Sequence, residues 1–234
     1  MSRRFYQIDA FAERAFKGNP AAVVLLDDEA DPAWMQSVAA EFNLSETAFV
    51  RPGAEAFGLR WFTPTTEVDL CGHATLASAF LILTRLSPGS NSVRFETRSG
   101  GLHVTRYGDR LFLDFPAYPG KVVDCPADLS GGLGVSPQTV VEGPNYVAVL
   151  KTEAAVAALQ PDMTQIARLH PRGVIATAPG DESDFVSRFF GPSFGVPEDP
   201  VTGSAHCMLI PYWAQRTGKK IMDARQISSR GGRL

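Results

Sequence analysis

The chain has 234 residues, 44% hydrophobic and 20% charged, with a formal net charge of -3. That length carries one large domain or two modest ones, the apolar content argues against disorder, and a net negative chain lacks the basic footprint of a nucleic-acid binder. Three cysteines, Cys71, Cys125 and Cys207, give neither a disulfide framework nor the spacing of a zinc site, and the four histidines are scattered.

In chain order, Phe5–Phe11 alternates as a strand, Lys17-Gly18-Asn19-Pro20 is turn chemistry, and Ala21–Leu26 reads as a buried strand. Pro32–Phe42 has helical spacing, with Asp31 as N-cap and Pro32 at the first helical position. Strands are expected at Glu46–Val50 and Gly58–Phe62, with a loop over Pro64–Leu70. His73–Leu86 is a first central helix, apolar on nearly every face from Leu76 to Leu83 and so expected to be buried all round. The longest apolar stretch, Ala74–Leu83, is too short to span a bilayer, and no apolar signal core follows Arg3-Arg4. The expected location is therefore cytoplasmic.

Val93–Thr97, Leu102–Thr105 and Leu111–Phe115 form an antiparallel set, and Pro116–Gly120 is the expected linker. The second half reads as a helix at Pro126–Leu133, a strand at Tyr146–Leu150, helices at Glu153–Leu159 and Thr164–His170, and strands at Val174–Ala178 and Phe185–Phe190. A second central helix, Ser204–Thr217, carries Pro211 and is expected to be strained there.

Two segments repeat. Arg60-Trp61-Phe62-Thr63-Pro64 precedes Asp69-Leu70-Cys71-Gly72-His73-Ala74, and Arg188-Phe189-Phe190-Gly191-Pro192 precedes Asp199-Pro200-Val201-Thr202-Gly203-Ser204-Ala205. Each copy reads as an aromatic strand, a Pro-containing turn, an acidic residue, a glycine step and a helix start. The expected architecture is α+β: two similar domains, 1–117 and 118–234, with a cleft between them.

A helix start offers unpaired N–H groups and a partial positive charge, and glycine lets a ligand approach the main chain. Gly72 and Gly203, followed by His73, Thr75, Ser204 and His206, can thus cradle an anion such as a small carboxylate; the alternative is two ordinary helix caps. A carboxyl group at Glu46, partly withdrawn from water, suits general acid/base work, against the blander reading of a solvated strand edge. Asp69 and Asp199 cap the helices or orient a catalytic group. Placing Gly72 on Gly203 sets Thr202 opposite Cys71, so a pair of opposed thiols is not available.

Asn19-Pro20-Ala21-Ala22-Val23, Leu44-Ser45-Glu46-Thr47-Ala48-Phe49, Asp69-Leu70-Cys71-Gly72-His73-Ala74-Thr75 and Glu198–His206 resemble, in this order, the phenazine-biosynthesis PhzF-like isomerases. The resemblance covers nearly the whole chain. It implies the diaminopimelate-epimerase-like fold, two domains each wrapping a sheet around a central helix. It also implies a homodimeric isomerase that moves a proton within a small carboxylate such as trans-2,3-dihydro-3-hydroxyanthranilate, with no metal or organic cofactor. By the same resemblance Glu46 is the acid/base, His73 and Asp199 assist around the substrate, and Gly72, Gly203 and Ser204 cradle its carboxylate. Members of the family continue past Ser228–Leu234, so the second domain is expected to be short by its closing strands, with an unpaired sheet edge and lower stability or a compensating partner chain. Two other readings stay open: an amino-acid racemase or epimerase of the same fold, and a binding or scaffold protein that has lost turnover.

Overall fold

The computed structural model describes residues 3–234. The chain divides into two compact units, one holding residues up to Ala10 and Pro20–Phe115, the other Phe11–Asn19 and Pro116–Leu234. A cut at 117 assigns Phe11–Asn19 to the first unit, whereas its contacts lie with the C-terminal residues. Gly18 N–H donates to the Gly231 carbonyl at 2.8 Å, and Arg230 Nε donates to the Gly18 carbonyl at 2.9 Å. Gly232 runs so close to this segment that a β-carbon there would stand 2.8 Å from the Phe11 carbonyl oxygen, which leaves room only for glycine.

The first unit comprises β1 (Phe5–Ala10), β2 (Asn19–Leu25), α1 (Pro32–Phe42), β3 (Glu46–Arg51), β4 (Phe57–Phe62), β5 (Glu67–Val68), α2 (Gly72–Leu81), β6 (Ser92–Thr97), β7 (Gly100–Tyr107) and β8 (Arg110–Leu113). Its sheet runs β1-β2-β3-β4-β6-β7-β8, with β5 paired to β4. Two pairs are parallel, β2 with β3 and β4 with β6, and each crossover carries a helix, α1 and α2 respectively. Side chains alternate across β3. Ala48 and Val50 pack with Ala74 and Ala77 of α2, and Phe49 packs with Met35 and Ala39 of α1. Glu46 shares the parity of Ala48 and Val50 and so points to the α2 face.

Helix α1 has the bounds its sequence signals: the Asp31 side chain accepts from Ala33 N–H, and Asn43 closes it at φ 50. The first central helix is shorter than expected. Its α-helical part ends at Leu81, and a π-helical turn continues from Ile82 to Leu86. It is not buried all round either, because Phe80 remains 50% exposed.

The second unit comprises β9 (Lys121–Val123), α3 (Ala127–Leu133), β10 (Thr139–Glu142), β11 (Tyr146–Val149), α4 (Glu153–Ala157), α5 (Met163–Ala167), β12 (Val174–Pro179), β13 (Phe185–Gly191), β14 (Val196–Asp199), α6 (His206–Thr217), β15 (Ala224–Gln226) and β16 (Gly232–Arg233). The order β16-β15-β13-β12-β11-β10-β9, with β14 on β13, mirrors the first sheet. The parallel pairs recur as β11 with β12 and β13 with β15. One face packs against α6 through Ile175, Phe185, Phe189, Leu209 and Trp213, and the other covers α3, α4 and α5 through Val174, Ala176 and Val186. The second central helix begins as a single 3-10 turn, Gly203–Ala205, before α6 proper, and Pro211 lies inside it.

One ion-pair clasp occurs in both units. Arg60 grips Glu67 through two bonds of 2.7 and 2.8 Å, and Arg188 grips Glu198 through two of 2.7 and 3.0 Å. Each guanidinium also lies over a ring two residues on, Phe62 or Phe190. The clasp bridges a strand to its short antiparallel neighbour, β4 to β5 and β13 to β14.

Candidate active site

The first helix start brings together three groups that the sequence separates. Glu46 reaches toward α2 from the first residue of β3, Cys71 is the N-cap of α2, and His73 sits in its first turn. His73 Nε2 lies 3.5 Å from Glu46 Oε2, and Cys71 Sγ lies 3.5 Å from His73 Nδ1. His73 and Cys71 are buried, whereas the Glu46 side chain keeps 19% exposure and is the member that meets solvent. Thr75 Oγ1 donates to the Cys71 carbonyl at 2.5 Å, tightening the turn.

Burial pulls the pKa of His73 down to about 3, against a smaller opposite effect from its hydrogen bond to the Pro20 carbonyl. The imidazole is therefore neutral at physiological pH, and its contact with Glu46 is that of a polar ring beside a carboxylate, not an ion pair. A neutral ring fixed by a main-chain carbonyl can steer a proton without competing for the carboxylate's charge.

The second helix start is organised differently. Asp199 is buried at the end of β14; its Oδ1 accepts from Asn19 Nδ2 at 2.7 Å and its Oδ2 from the Thr202 hydroxyl. Asn19 Nδ2 also donates to the Val201 carbonyl at 2.8 Å. Gln226, on β15 and 1% exposed, accepts from Thr202 N–H at 2.8 Å and donates to the Asp199 carbonyl at 2.7 Å. These bonds hold the Asp199–Thr202 loop and so set the main chain of Gly203 and Ser204, which are half-buried. His206 Nδ1 lies 2.9 Å from the Thr202 carbonyl, and burial lowers its pKa to about 4.

The two clasps correct the pairing of acidic residues read from the repeat. Glu67 and Glu198 each stand five residues before the glycine, so the counterpart of Asp199 is Val68, not Asp69. Asp69 has 72% side-chain exposure and pairs with Arg98 at 3.5 Å. Cys71 and Thr202 do occupy equivalent cap positions. The remaining helical thiol, Cys207, is buried, and its pKa is pushed up to about 11, which keeps it protonated. Asn19 and Gln226 had no assigned role in the sequence. Asn19 falls in a turn-forming segment, and the Arg225-Gln226-Ile227 stretch shows no pattern that marks a buried amide.

The chain matches the phenazine biosynthesis-like protein family, PhzC-PhzF, over residues 8–234. It belongs to that family. An uncharacterized isomerase of Pseudomonas aeruginosa is 51% identical over 235 residues, covering 100% of this chain and 90% of the relative. The crystal structure of a PhzF-family protein of Enterococcus faecalis superposes with a TM-score of 0.95 at 45% identity, over 100% of this chain and 90% of that one. A hydroxyproline epimerase of Agrobacterium vitis, at 11% identity and a TM-score of 0.63 over 99% and 82% of the two chains, shares the fold alone. The family member thus has the epimerase-like α+β architecture of two similar halves. Among its described residues, no helix is long and apolar enough to cross a membrane.

Proposed function

We propose that the protein is an isomerase that relocates a proton within a small cyclic or amino carboxylate, with Glu46 as the group that takes and returns the proton. The observation that carries this reading is the position of Glu46: a partly exposed carboxylate directed at a helix start, beside a buried neutral imidazole. In the proposed reaction Glu46 removes a proton from a substrate carbon and delivers it to another. His73 donates to or accepts from a polar substrate atom during the transfer. The main chain at Gly72 in one unit, and at Gly203 and Ser204 in the other, offers candidate helix starts for the substrate carboxylate, and Asp199 holds the loop that presents the latter two.

The P. aeruginosa relative described as an isomerase supports the reaction class. The residues at the two caps support a single carboxylate base over a two-thiol racemase. Thr202 stands where a second thiol is needed, and its hydroxyl is engaged by Asp199. A cytoplasmic homodimer acting without a cofactor is part of the same proposal.

The test is proton NMR in D2O with a panel of small amino and hydroxy carboxylates that includes dihydro-hydroxyanthranilate, on wild type and Glu46→Gln. Deuterium entering at carbon with wild type and absent with Glu46→Gln is the expected result. Exchange that survives in folded Glu46→Gln sinks the assignment. No exchange from folded wild type with any compound favours the scaffold reading.

A further inference from the structure

The cysteine and histidine spacing in the sequence excludes a conventional zinc motif, yet folding gathers a thiol, an imidazole and a carboxylate at the first helix start. One donor atom from each of Glu46, Cys71 and His73 lies within 4.8 Å of the other two. We propose that this cluster is a binding site for a soft divalent cation of the zinc type, with three protein ligands and an open fourth position.

Three observations carry the site. First, the donors lie close together. Metal bonds of about 2.0 to 2.3 Å to nitrogen, oxygen and sulfur set tetrahedral ligand pairs about 3.4 to 3.6 Å apart. Cys71 Sγ stands 3.5 Å from Nδ1 of His73, whereas Glu46 Oε2 stands 3.5 Å from Nε2, the opposite nitrogen of the ring, so only one of these contacts is a ligand pair of a single ion. Taking one donor atom from each residue, the three lie within 4.8 Å of one another, and Glu46, the least buried of them, turns toward the nitrogen beside Cys71 to close the site. Second, the donor set selects. Thiolate with imidazole prefers zinc, cobalt or cadmium over magnesium or calcium, and the two anionic ligands offset the ion's charge. Third, the site has a rigid floor and an entry. Cys71 and His73 are fixed at the start of α2, and the Glu46 side chain is the part-exposed member, its Oε2 turned inward.

Binding releases the Cys71 thiol proton to solvent, since the thiolate is the ligand. The bound ion occupies Glu46 oxygens, so if Glu46 is the acid/base as proposed above, zinc inhibits the isomerase. That consequence rests on the functional reading; the site itself does not.

The test reads binding and not turnover. Chelator-treated protein is titrated with Co2+ and followed by its thiolate-to-cobalt charge-transfer absorption, then with Zn2+ in competition with a chromogenic chelator. Wild type, Cys71→Ser, Glu46→Gln and, as the exposed-thiol control, Cys125→Ser are compared, with far-ultraviolet circular dichroism as the check of folding. The expected result is one ion per chain and a charge-transfer band that Cys125→Ser keeps and Cys71→Ser loses. Glu46→Gln should keep the band and bind zinc more weakly by more than about 10-fold, because even the outer partners of metal ligands contribute 10- to 100-fold. No band in wild type, a band that persists in Cys71→Ser, or unchanged zinc affinity in Glu46→Gln each overturns the site. Glu46→Gln serves alone should Cys71→Ser fail to fold.

Discussion

Asn19 Nδ2 donates to Asp199 Oδ1 at 2.7 Å, joining two buried residues 180 positions apart in the chain. The bond fastens the Phe11–Asn19 segment to the loop that opens the second helix, and the same amide donates to the Val201 carbonyl. Asn19→Ala removes both donations at once. Leaving a buried carboxylate with fewer donors costs about 1 to 3 kcal/mol. Urea denaturation of Asn19→Ala should show a loss of that order, and an unchanged midpoint would show that the bond contributes nothing.

Gln226 offers a separate test of how that loop is held. Gln226→Leu keeps much of the volume and removes the bonds to Thr202 N–H and the Asp199 carbonyl. If Gly203 and Ser204 bind the substrate carboxylate, the variant should raise KM more than it lowers kcat, because the loss falls on binding and not on the proton-transfer group. A fall in kcat with KM unchanged counts against this positioning role.

The two clasps differ in burial, and the difference predicts a ranking. Arg188 has 12% side-chain exposure and also donates to the Leu159 carbonyl at 2.9 Å, whereas Arg60 has 30% exposure. Arg188→Ala strands a partly buried carboxylate and a carbonyl, a loss of about 3 kcal/mol or more. Arg60→Ala should cost less, because Arg98 still contacts Glu67 at 2.8 Å. Equal losses in thermal denaturation would contradict the ranking.

Acid stability follows from the buried histidines. His73 and His206 have folded pKa values lowered to about 3 and about 4, below the ordinary 6.5 of an exposed ring. Between pH 6.5 and 4 the unfolded chain binds more protons than the folded one, so stability falls as pH falls through this window and is fully present above it. The slope is about 1.4 kcal/mol per pH unit for each histidine that stays neutral only when folded. His206→Gln should therefore lose less stability than wild type between pH 7 and pH 5, as measured by urea denaturation; identical losses rule out His206 as a contributor.

Cys71→Ser separates the carboxylate mechanism from a thiol one. Removing an acid/base group costs about 10² to 10⁴ in rate. Turnover within about 10-fold of wild type is expected for Cys71→Ser if Glu46 moves the proton. A loss as deep as that of Glu46→Gln would return the thiol to the mechanism.

Much of the fold was legible because strong local signals agreed with the tertiary outcome. Asp31, Pro32 and Asn43 delimit α1 by capping chemistry, and the valine- and phenylalanine-rich runs became central strands. What escaped was short or set by distant contacts. β5 has two residues and β14 contains a proline, so neither shows a period; in each, a glutamate is clasped by an arginine on the neighbouring strand. The mistaken pairing of Asp69 with Asp199 comes from a one-residue offset, since Asp69 stands three residues before Gly72 and Asp199 four before Gly203. The clasps themselves were hidden by unequal spacing: Arg60 and Glu67 are 7 residues apart, but Arg188 and Glu198 are 10 apart, with a 3-10 turn at Pro192–Phe194 in the longer span. At the site, Cys71 and His73 were visible as neighbours, but the approach of Glu46 depended on strand parity across a sheet, and the buried amides of Asn19 and Gln226 on pairings no local pattern encodes.

The clasp also works as a ruler. Counting from its glutamate, the first, fourth and sixth residues are valine, cysteine and histidine in one half, but aspartate, threonine and serine in the other. The frame has stayed alike while the positions it indexes have diverged. The two halves of this chain come into register on the glutamate of the pair, and the residues at those three offsets can then be compared. A chain with cysteine at the fourth offset in both halves could be sorted from this one by its sequence, before any assay is run.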